Sequence, residues 1–330
     1  DIARQIAITK AAVTIITNEM IEQGALYEKG EQIPKGGKLS RGRKKILLDV
    51  NPTYKMDMGL VVDGGNLYIG LCTLHGDPVE KHMVSLPSGG TAEDIFQLIE
   101  KLYQELLYKN DLTPAQITGL GVCIAPEYRE MLGAGEDWSE LSSRLAAFAG
   151  LPLTFGDVAQ GAAIAEYDYW QAESEVPYSD LLLFRCGKQL SCSILLGGEV
   201  YKGTHNRAAI MPEKTSLKAL TAECQKIFSK EDTPNLWDAT GGNAVRLIPI
   251  LLNEEVSADA PILSAFENFQ KTRLTALTEA SEFFDPGRII LLEGEAGYTA
   301  LLEQLDGSAT DLLTSMGFTV SRSHIEGSNL

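Results

Sequence analysis

Apolar residues recur at helical spacing near the start of the chain. Val13, Ile16 and Met20 follow one another at intervals of three and four residues, which predicts a helix with one buried stripe. Thr9 stands at the N-cap of this helix, where its hydroxyl can accept a hydrogen bond from a free backbone N–H group, and Gly24 ends the helix. Together with a shorter helix and a tight turn before it, this segment predicts a helix-turn-helix.

Two short strand-like stretches after this segment enclose a basic loop, which is the arrangement of a winged helix. The second helix of such a unit lies in the major groove of DNA, and the basic loop, or wing, contacts phosphates. Small and polar residues are expected on the face opposite the stripe. The residues predicted to contact DNA are Thr9, Lys10, Ala11, Thr14 and Thr17 on the helix and Arg41, Arg43, Lys44 and Lys45 in the wing. The alternative is an amphipathic helical hairpin packed on a larger surface, because the pattern alone is not specific.

Beyond residue 52 the pattern changes to strands and helices that recur in a similar order twice. Three strand-like runs, a helix, a buried strand, a second helix and a short strand give the order β-β-β-α-β-α-β. A second meander of three strands begins near Leu181. Two such halves predict an α/β, duplicated ribonuclease-H-like body of the actin-like ATPase and sugar-kinase type. The predicted domains are a winged helix-turn-helix over residues 1–52 and two actin-like subdomains over residues 53–165 and 166–330.

The charge of the chain is divided unevenly between these parts. Lys and Arg number 28 against 45 Asp and Glu, yet residues 1–55 hold ten basic and six acidic residues, which leaves a net charge of −21 on the rest. Only the basic N-terminal part can therefore lie against a phosphate backbone. We expect the acidic body to point away from DNA.

Cysteine usage and hydropathy narrow the class of protein further. Five scattered cysteines without a Cys-x-x-Cys pair predict buried, reduced thiols rather than a disulfide framework or a metal site. No apolar run approaches the ~20 residues of a membrane-spanning helix, and the first residues have no signal-peptide pattern, which predicts a cytoplasmic protein.

The chain starts at Asp1 without an initiating Met, and a winged helix normally has one more helix before this point. We therefore expect the natural chain to begin upstream.

Four segments resemble, in the same order, motifs of one known family. Ile8-Thr9-Lys10-Ala11-Ala12-Val13 is similar to its Leu-Ser-Arg-Ala-Thr-Val, and Gly42-Arg43-Lys44-Lys45 to its Gly-Arg-Arg-Pro wing. Residues 196–205 resemble the strand pair before its sugar pocket, and residues 284–290 its Asp-Pro-Glu-x-Ile turn. The family is ROK, named for repressors, open reading frames and kinases, and its regulators join a winged helix to an actin-like sugar-kinase body. The resemblance covers nearly the whole chain.

The resemblance implies two phosphate-binding motifs, and this chain departs from both. Kinases of the family read Asp-x-Gly-Gly-Thr, in which the glycines let the backbone approach phosphate and the Asp helps to hold the metal. Here Val62-Asp63-Gly64-Gly65-Asn66 puts valine at the position of the acid. The second loop, Gly-Thr-Gly-x-Gly in the family, is Gly187-Lys188-Gln189-Leu190-Ser191, with two of three glycines gone. We therefore expect no kinase activity, no catalytic residue, no bound metal and no cofactor.

The segments that bind a sugar in the family are altered as well. The family's catalytic Asp precedes an Ala-rich helix, where this chain has Asp157-Val158. Asp157 is either the N-cap of that helix or a base or effector ligand. The family's Ala-Gly-Glu-x-Gly-His is Ala208-Ala209-Ile210-Met211-Pro212-Glu213 here, and the cysteines of its zinc knot are missing. The residues expected at an effector site are Gly65, Asn66, Asp157, His205 and Glu213.

These observations predict a transcriptional regulator, specifically a repressor of a sugar-related operon that binds double-stranded operator DNA as a homodimer. The body would sense a sugar or a sugar phosphate, and closure around that effector would change the spacing of the two DNA-binding units. Two alternatives stay open: an ATP-dependent sugar kinase, and a scaffold that only oligomerises. ATP turnover on a panel of sugars distinguishes the kinase, and loss of operator binding with added sugar distinguishes a sensor from a scaffold.

Overall fold

The N-terminal part of the chain, residues 1–52, forms two helices and a two-stranded sheet. The computed structural model describes residues 2–5, 7–31, 46–87, 89–135, 138–173, 179–204, 208–247, 250, 259–293 and 308–325. The first elements are α1 (Ile2–Gln5), α2 (Lys10–Glu22), β1 (Leu26–Glu31) and β2 (Ile46–Val50). β1 and β2 pair in antiparallel fashion, with a bulge between Glu28 and Gly30. We call this part the head and the remainder of the chain the body.

The first half of the body is a five-stranded mixed sheet with helices. Its elements are β3 (Met56–Asp63), β4 (Asn66–Thr73), β5 (Pro78–Ser85), α3 (Ala92–Lys109), β6 (Ile117–Ile124), α4 (Pro126–Arg129), α5 (Ser139–Ala149) and β7 (Leu153–Asp157). The strand order is β5-β4-β3-β6-β7. β3, β4 and β5 form an antiparallel meander, and β6 and β7 continue the sheet parallel to β3.

The second half of the body repeats this topology. Its elements are α6 (Val158–Glu173), β8 (Asp180–Cys186), β9 (Leu190–Leu196), β10 (Glu199–Val200), α7 (Leu217–Ile227), α8 (Pro234–Thr240), α9 (Ala260–Phe284), β11 (Arg288–Glu293) and β12 (Val320–Arg322). The strand order is β10-β9-β8-β11-β12, again an antiparallel meander continued by two parallel strands. The duplicated α/β architecture that the order of elements predicted is confirmed.

Local sequence explains a turn and a helix cap in the first half of the body. Gly64 and Gly65 have φ values of +59° and +77°, the left-handed conformation required at both central residues of a type I′ hairpin turn. This turn reverses the chain immediately after Asp63. At the start of α3, Thr91 and Asp94 form a capping box, in which each side chain accepts a hydrogen bond from the backbone N–H of the other residue.

Helix α6 lies between the two sheets. Its small residues Ala159, Ala162 and Ala163 are buried against the second sheet. A β-carbon at Gly161 would lie 2.6 Å from Sγ of Cys123, so glycine is needed for α6 to approach β6 this closely. The predicted boundary at residue 165 falls inside this helix.

The cysteines and the apolar segments take ordinary positions in this fold. Cys186, Cys192 and Cys224 are buried, while Cys72 and Cys123 are half-buried, and all five are free thiols. Burial raises the pKa of Cys123 and of Cys224 to about 11, so these thiols are protonated at neutral pH. Within the described ranges, no helix combines the length and the hydropathy needed to cross a membrane.

Candidate functional site

The first candidate surface is the exposed side of α2. Thr9 has an extended backbone, and its Oγ1 accepts a hydrogen bond of 3.2 Å from the N–H of Ala12, so Thr9 is the N-cap that the sequence predicted. Lys10, Ala11 and Thr14 are exposed. The hydroxyl of Thr14 donates to the carbonyl of Lys10 at 3.1 Å, which leaves its oxygen able to accept another hydrogen bond.

The predicted inner stripe of α2 is wrong in two of its three positions. Ile16 and Met20 are 45% and 37% exposed, and only Val13 of the three is half-buried. The inward side instead includes Thr17 and Ile21, four and eight residues after Val13. Thr17, expected on the opposite face, therefore lies beside Val13. Both spacings follow the helical period, and the packing of α2 on β1 decides between them.

The second candidate surface is the two-stranded sheet of β1 and β2. The strands pair from Leu26 with Val50 to Glu31 with Ile46, and Nζ of Lys29 contacts Oδ2 of Asp49 at 2.6 Å across them. The wing that joins the strands lies outside the described residues. It contains the predicted phosphate contacts Arg41, Arg43, Lys44 and Lys45.

The cleft between the halves of the body holds a buried ion cluster. Arg185, at the end of β8, has a side chain that is completely buried, and its guanidinium binds both carboxylate oxygens of Asp63 at the end of β3. Nη2 of Arg185 also lies 3.3 Å from Oε1 of Glu127 in α4. One guanidinium from the second half therefore joins two carboxylates of the first. We call these three residues the Arg185 cluster.

The cluster is held together by mutual electrostatics. Burial raises the pKa of Asp63, and the guanidinium of Arg185 opposes that rise and favours the carboxylate. Burial by itself would lower the pKa of Arg185, but the carboxylates of Asp63 and Glu127 raise it above its ordinary value. The guanidinium and the carboxylates thus offset part of each other's cost of burial.

Asp157 lies at the same cleft, where β7 ends and α6 begins. Its Oδ1 accepts a hydrogen bond of 2.8 Å from the N–H of Ala159, so Asp157 caps α6. Burial raises the pKa of Asp157 to about 6, against the opposing effects of the Ala159 amide and of Arg185. A carboxyl group with a pKa near neutrality can accept a hydrogen bond from a ligand hydroxyl when it is ionised, and can donate one to it when it is protonated.

Gly65 and Asn66 lie on the turn that follows Asp63. The N–H of Gly65 donates to the hydroxyl of Tyr128 at 2.8 Å, which ties the turn to α4. Asn66 pairs with Asp63 in the hairpin register, and its Nδ2 donates to the carbonyl of Gly64 at 3.2 Å. The structure therefore brings Gly65, Asn66 and Asp157 to the surroundings of Arg185.

The remaining predicted effector residues lie apart from these contacts or outside the described residues. Glu213 is exposed at the start of a 3₁₀ turn, Glu213–Thr215, that precedes α7. His205 lies outside the described residues. Between them, Ala209 has a φ of +64°, a conformation that suits glycine, and Ile210 is 68% exposed. The backbone thus keeps a glycine-like turn at Ala209, although the residue is no longer glycine.

Sequence reasoning missed Arg185 as a site residue. The sequence feature that could have identified it is a single charged residue in the otherwise apolar run Leu181-Leu182-Leu183-Phe184-Arg185-Cys186. An arginine in such a strand is buried only when carboxylates pair with it. Its partners Asp63 and Glu127 come from the other half, 122 and 58 positions away in sequence.

Comparison of the sequence with known proteins shows which proteins this chain is similar to. No family model matches the chain. The xylose repressor of Caldicellulosiruptor bescii is 24% identical over 209 residues, which are 61% of this chain and 50% of that protein. The chain thus spans about half the length of the curated relatives it matches.

Solved structures agree on the fold. A ROK family transcriptional regulator, homologous to the E. coli MLC protein, aligns with 98% of this chain and 86% of its own, with a TM-score of 0.58 and 15% identity. A ROK family glucokinase from Streptomyces griseus, in complex with glucose and AMPPNP, aligns with 83% of this chain and 96% of its own, with a TM-score of 0.54 and 16% identity. The chain has the fold of the ROK family. This fold is the one that the resemblance of the four sequence motifs implied.

Proposed function

We propose that this ROK-fold chain acts in a sugar-responsive transcriptional repressor, whose head binds operator DNA and whose body senses the sugar and forms a homodimer. The observation that carries the proposal is the similarity in sequence to xylose repressors. The ROK regulator aligns with 98% of this chain and the glucokinase with 83%, and the difference is about the size of the head. The head also has a net positive charge, whereas the rest of the chain is acidic.

In this proposal α2 enters the major groove and the wing follows the phosphates. Lys10, Ala11 and Thr14 are exposed on α2. Ala11 and Thr14 are small enough to let the helix approach base edges, and Lys10 is long enough to reach them. A homodimer would double the number of base pairs read, because one such helix contacts too few for useful specificity.

We also propose that the body does not transfer phosphate. A β-carbon at Gly187 would lie 2.6 Å from Nη1 of Arg185, so a guanidinium fills the space beside the loop that holds phosphate in kinases of the family. Val62, at the position of the kinase acid, is completely buried in the core of the first half. If the body is a kinase instead, the purified chain should convert ATP to ADP in the presence of a hexose or pentose.

The proposal is tested on the full-length protein with Thr14→Asp. A carboxylate on the groove-facing side of α2 repels the phosphate backbone, so operator binding should fall by at least about tenfold. Since Thr14 is exposed, circular dichroism and thermal unfolding should stay unchanged. The matched control, Thr275→Asp, places the same charge on an exposed position of α9 in the body and should leave DNA binding intact. Normal gel shifts with Thr14→Asp would refute the placement of α2 in the groove.

The sensor role has its own test. Xylose, named by the relatives, is the first effector to examine, followed by other sugars and sugar phosphates. A ligand that binds only the folded state raises the temperature of unfolding. If xylose raises that temperature and releases operator DNA, the body is a sensor. If no sugar does either, the body serves as a scaffold.

A further inference from the structure

Beside helix α6, which packs against both sheets, the two halves of the body meet through polar side chains. Four clusters of buried apolar side chains are described: one lies in the first half, two surround the second sheet, and one lies among α7, α8 and α9. None of them joins side chains of the first sheet to side chains of the second. Apart from α6, the described contact between the ends of the central strands β3 and β8 is the Arg185 cluster.

This cluster is only partly satisfied. Within the described residues, Nη1 of Arg185 and Oε2 of Glu127 are buried without a hydrogen-bond partner. Each unpaired buried atom costs free energy, and separation of the halves would return both to water. A buried ion pair contributes little net stability for the same reason, because opening restores the hydration of its charges. The closed arrangement is therefore held by an interaction that can be broken at low cost.

Arg185 is aimed at the first half by the turn behind it. Its guanidinium rests against Gly187, where there is no space for a β-carbon. Nη2 of Arg273, in α9, donates to the carbonyl of Gly187 at 2.9 Å and fixes that turn. The second half thus presents a supported cation, and the first half presents two carboxylates, Asp63 at the end of β3 and Glu127 in α4.

We propose that Arg185 is a latch that holds the two halves of the body closed, and that the body opens when its ion pairs with Asp63 and Glu127 break. The guanidinium bridges the two halves with a charge that belongs to the protein itself. Domain closure is then an equilibrium of the chain itself, on which an effector acts by shifting populations. The latch does not depend on the proposed repressor function.

Hydrogen–deuterium exchange on the full chain, without DNA or sugar, tests the latch. Asp63→Asn removes the charge opposite Arg185, and Arg185→Lys keeps a cation that cannot bind two carboxylates as a fork. Either change should speed exchange at least about tenfold in the segments that face the cleft, residues 62–66, 124–130 and 185–189. Peptides of α3 and α8, away from the cleft, should exchange at the rate of the unchanged protein. Small-angle scattering should show a larger radius of gyration for both variants.

Arg144→Gln is the matched control. It breaks the pair between Arg144 and Glu93, which lies on the surface of the first half and joins α5 to α3. This variant should leave exchange at the cleft and the radius of gyration unchanged. Equal acceleration throughout the body of the Asp63→Asn and Arg185→Lys proteins would mean that the cluster only stabilises the fold, and would overturn the latch. Unchanged exchange at the cleft would overturn it as well.

Discussion

At the residue scale, Asp157 shows how one side chain can serve two roles. It caps α6 through the N–H of Ala159, a structural role, and it lies at the cleft with a pKa raised to about 6. Sequence reasoning left the cap and the effector ligand as alternatives. The cap is confirmed, and the ligand role stays a prediction, because a cap uses only one of the two carboxylate oxygens.

The raised pKa of Asp157 makes stability depend on pH. The ordinary pKa is 3.8 and the folded value is about 6, so the folded state binds a proton between these values that the unfolded state releases. This contribution to stability is present below about pH 4 and is lost as the pH rises through 6. Asp157→Asn keeps a good N-cap without the charge, so it should gain about 1–2 kcal/mol relative to the unchanged protein on going from pH 4 to pH 7.5. Urea unfolding at both pH values measures this difference.

Asp94→Asn provides a control with the opposite sign. Hydrogen bonds from Thr91 lower the pKa of Asp94, so its contribution is present at neutral pH and is lost as the pH falls through the folded pKa. The Asp94→Asn protein should therefore lose stability mainly at neutral pH. Parallel pH profiles for the unchanged protein and Asp157→Asn would contradict a raised pKa at Asp157.

At the scale of elements, helix ends were predicted better than helix faces. Thr9 caps α2 as expected, because a cap is a local hydrogen bond between a side chain and a nearby amide. The buried face of α2 was misassigned, because Val13-Ile16-Met20 and Val13-Thr17-Ile21 both fit one helical stripe. Only the neighbouring element selects between such stripes.

The end of α9 offers a test of local strain. Asp285 follows the helix with φ +44° and ψ +56°, a left-handed conformation in which a β-carbon is unfavourable. Asp285 is exposed, so Asp285→Gly should remove the strain without loss of packing and stabilise the protein by about 0.5–1 kcal/mol. The control Glu279→Gly, at an exposed position inside α9, should instead destabilise it by about 1 kcal/mol. Urea unfolding measures both, and destabilisation by Asp285→Gly would show that the aspartate makes a favourable contact.

At the scale of the whole molecule, charge separates the head from the body. A net charge of +3 on the head, residues 1–52, contrasts with −20 on the remainder. This distribution favours one orientation on DNA, with the body away from the phosphates. The salt dependence of DNA binding should therefore report how many basic residues contact phosphate.

The proposed wing predicts a smaller salt dependence when its charges are removed. The logarithm of the binding constant falls with the logarithm of salt concentration by about 0.9 for each phosphate contact. Arg43→Ala with Lys44→Ala should therefore reduce this slope by about 2 and weaken binding to all sequences alike. The control pair Lys101→Ala and Lys109→Ala removes two exposed cations of α3 in the body, and should leave the slope unchanged. An unchanged slope in the wing variant would exclude these residues from phosphate contact.

Much of the body could be predicted because its signals are local. The Gly64-Gly65 turn, the alternating strands, the Ala-rich α6 and the long α9 all follow from turn chemistry and periodicity, and their order indicates the duplicated topology. The candidate site was harder to predict. Gly65, Asn66 and Asp157 were recognised from motif positions, but Arg185 was not, since nothing near it in sequence explains a buried cation.

The sequence by itself determined the order of the elements, the caps and turns that delimit them, and the division into a basic head and an acidic body, because each depends on neighbouring residues or on composition. The tertiary structure decided which side of α2 faces inward and that Arg185 meets Asp63 and Glu127 across the cleft. Both outcomes depend on contacts between residues that are distant along the chain, and the free energy of burying a side chain or a charge is set by whatever partner the fold brings to it.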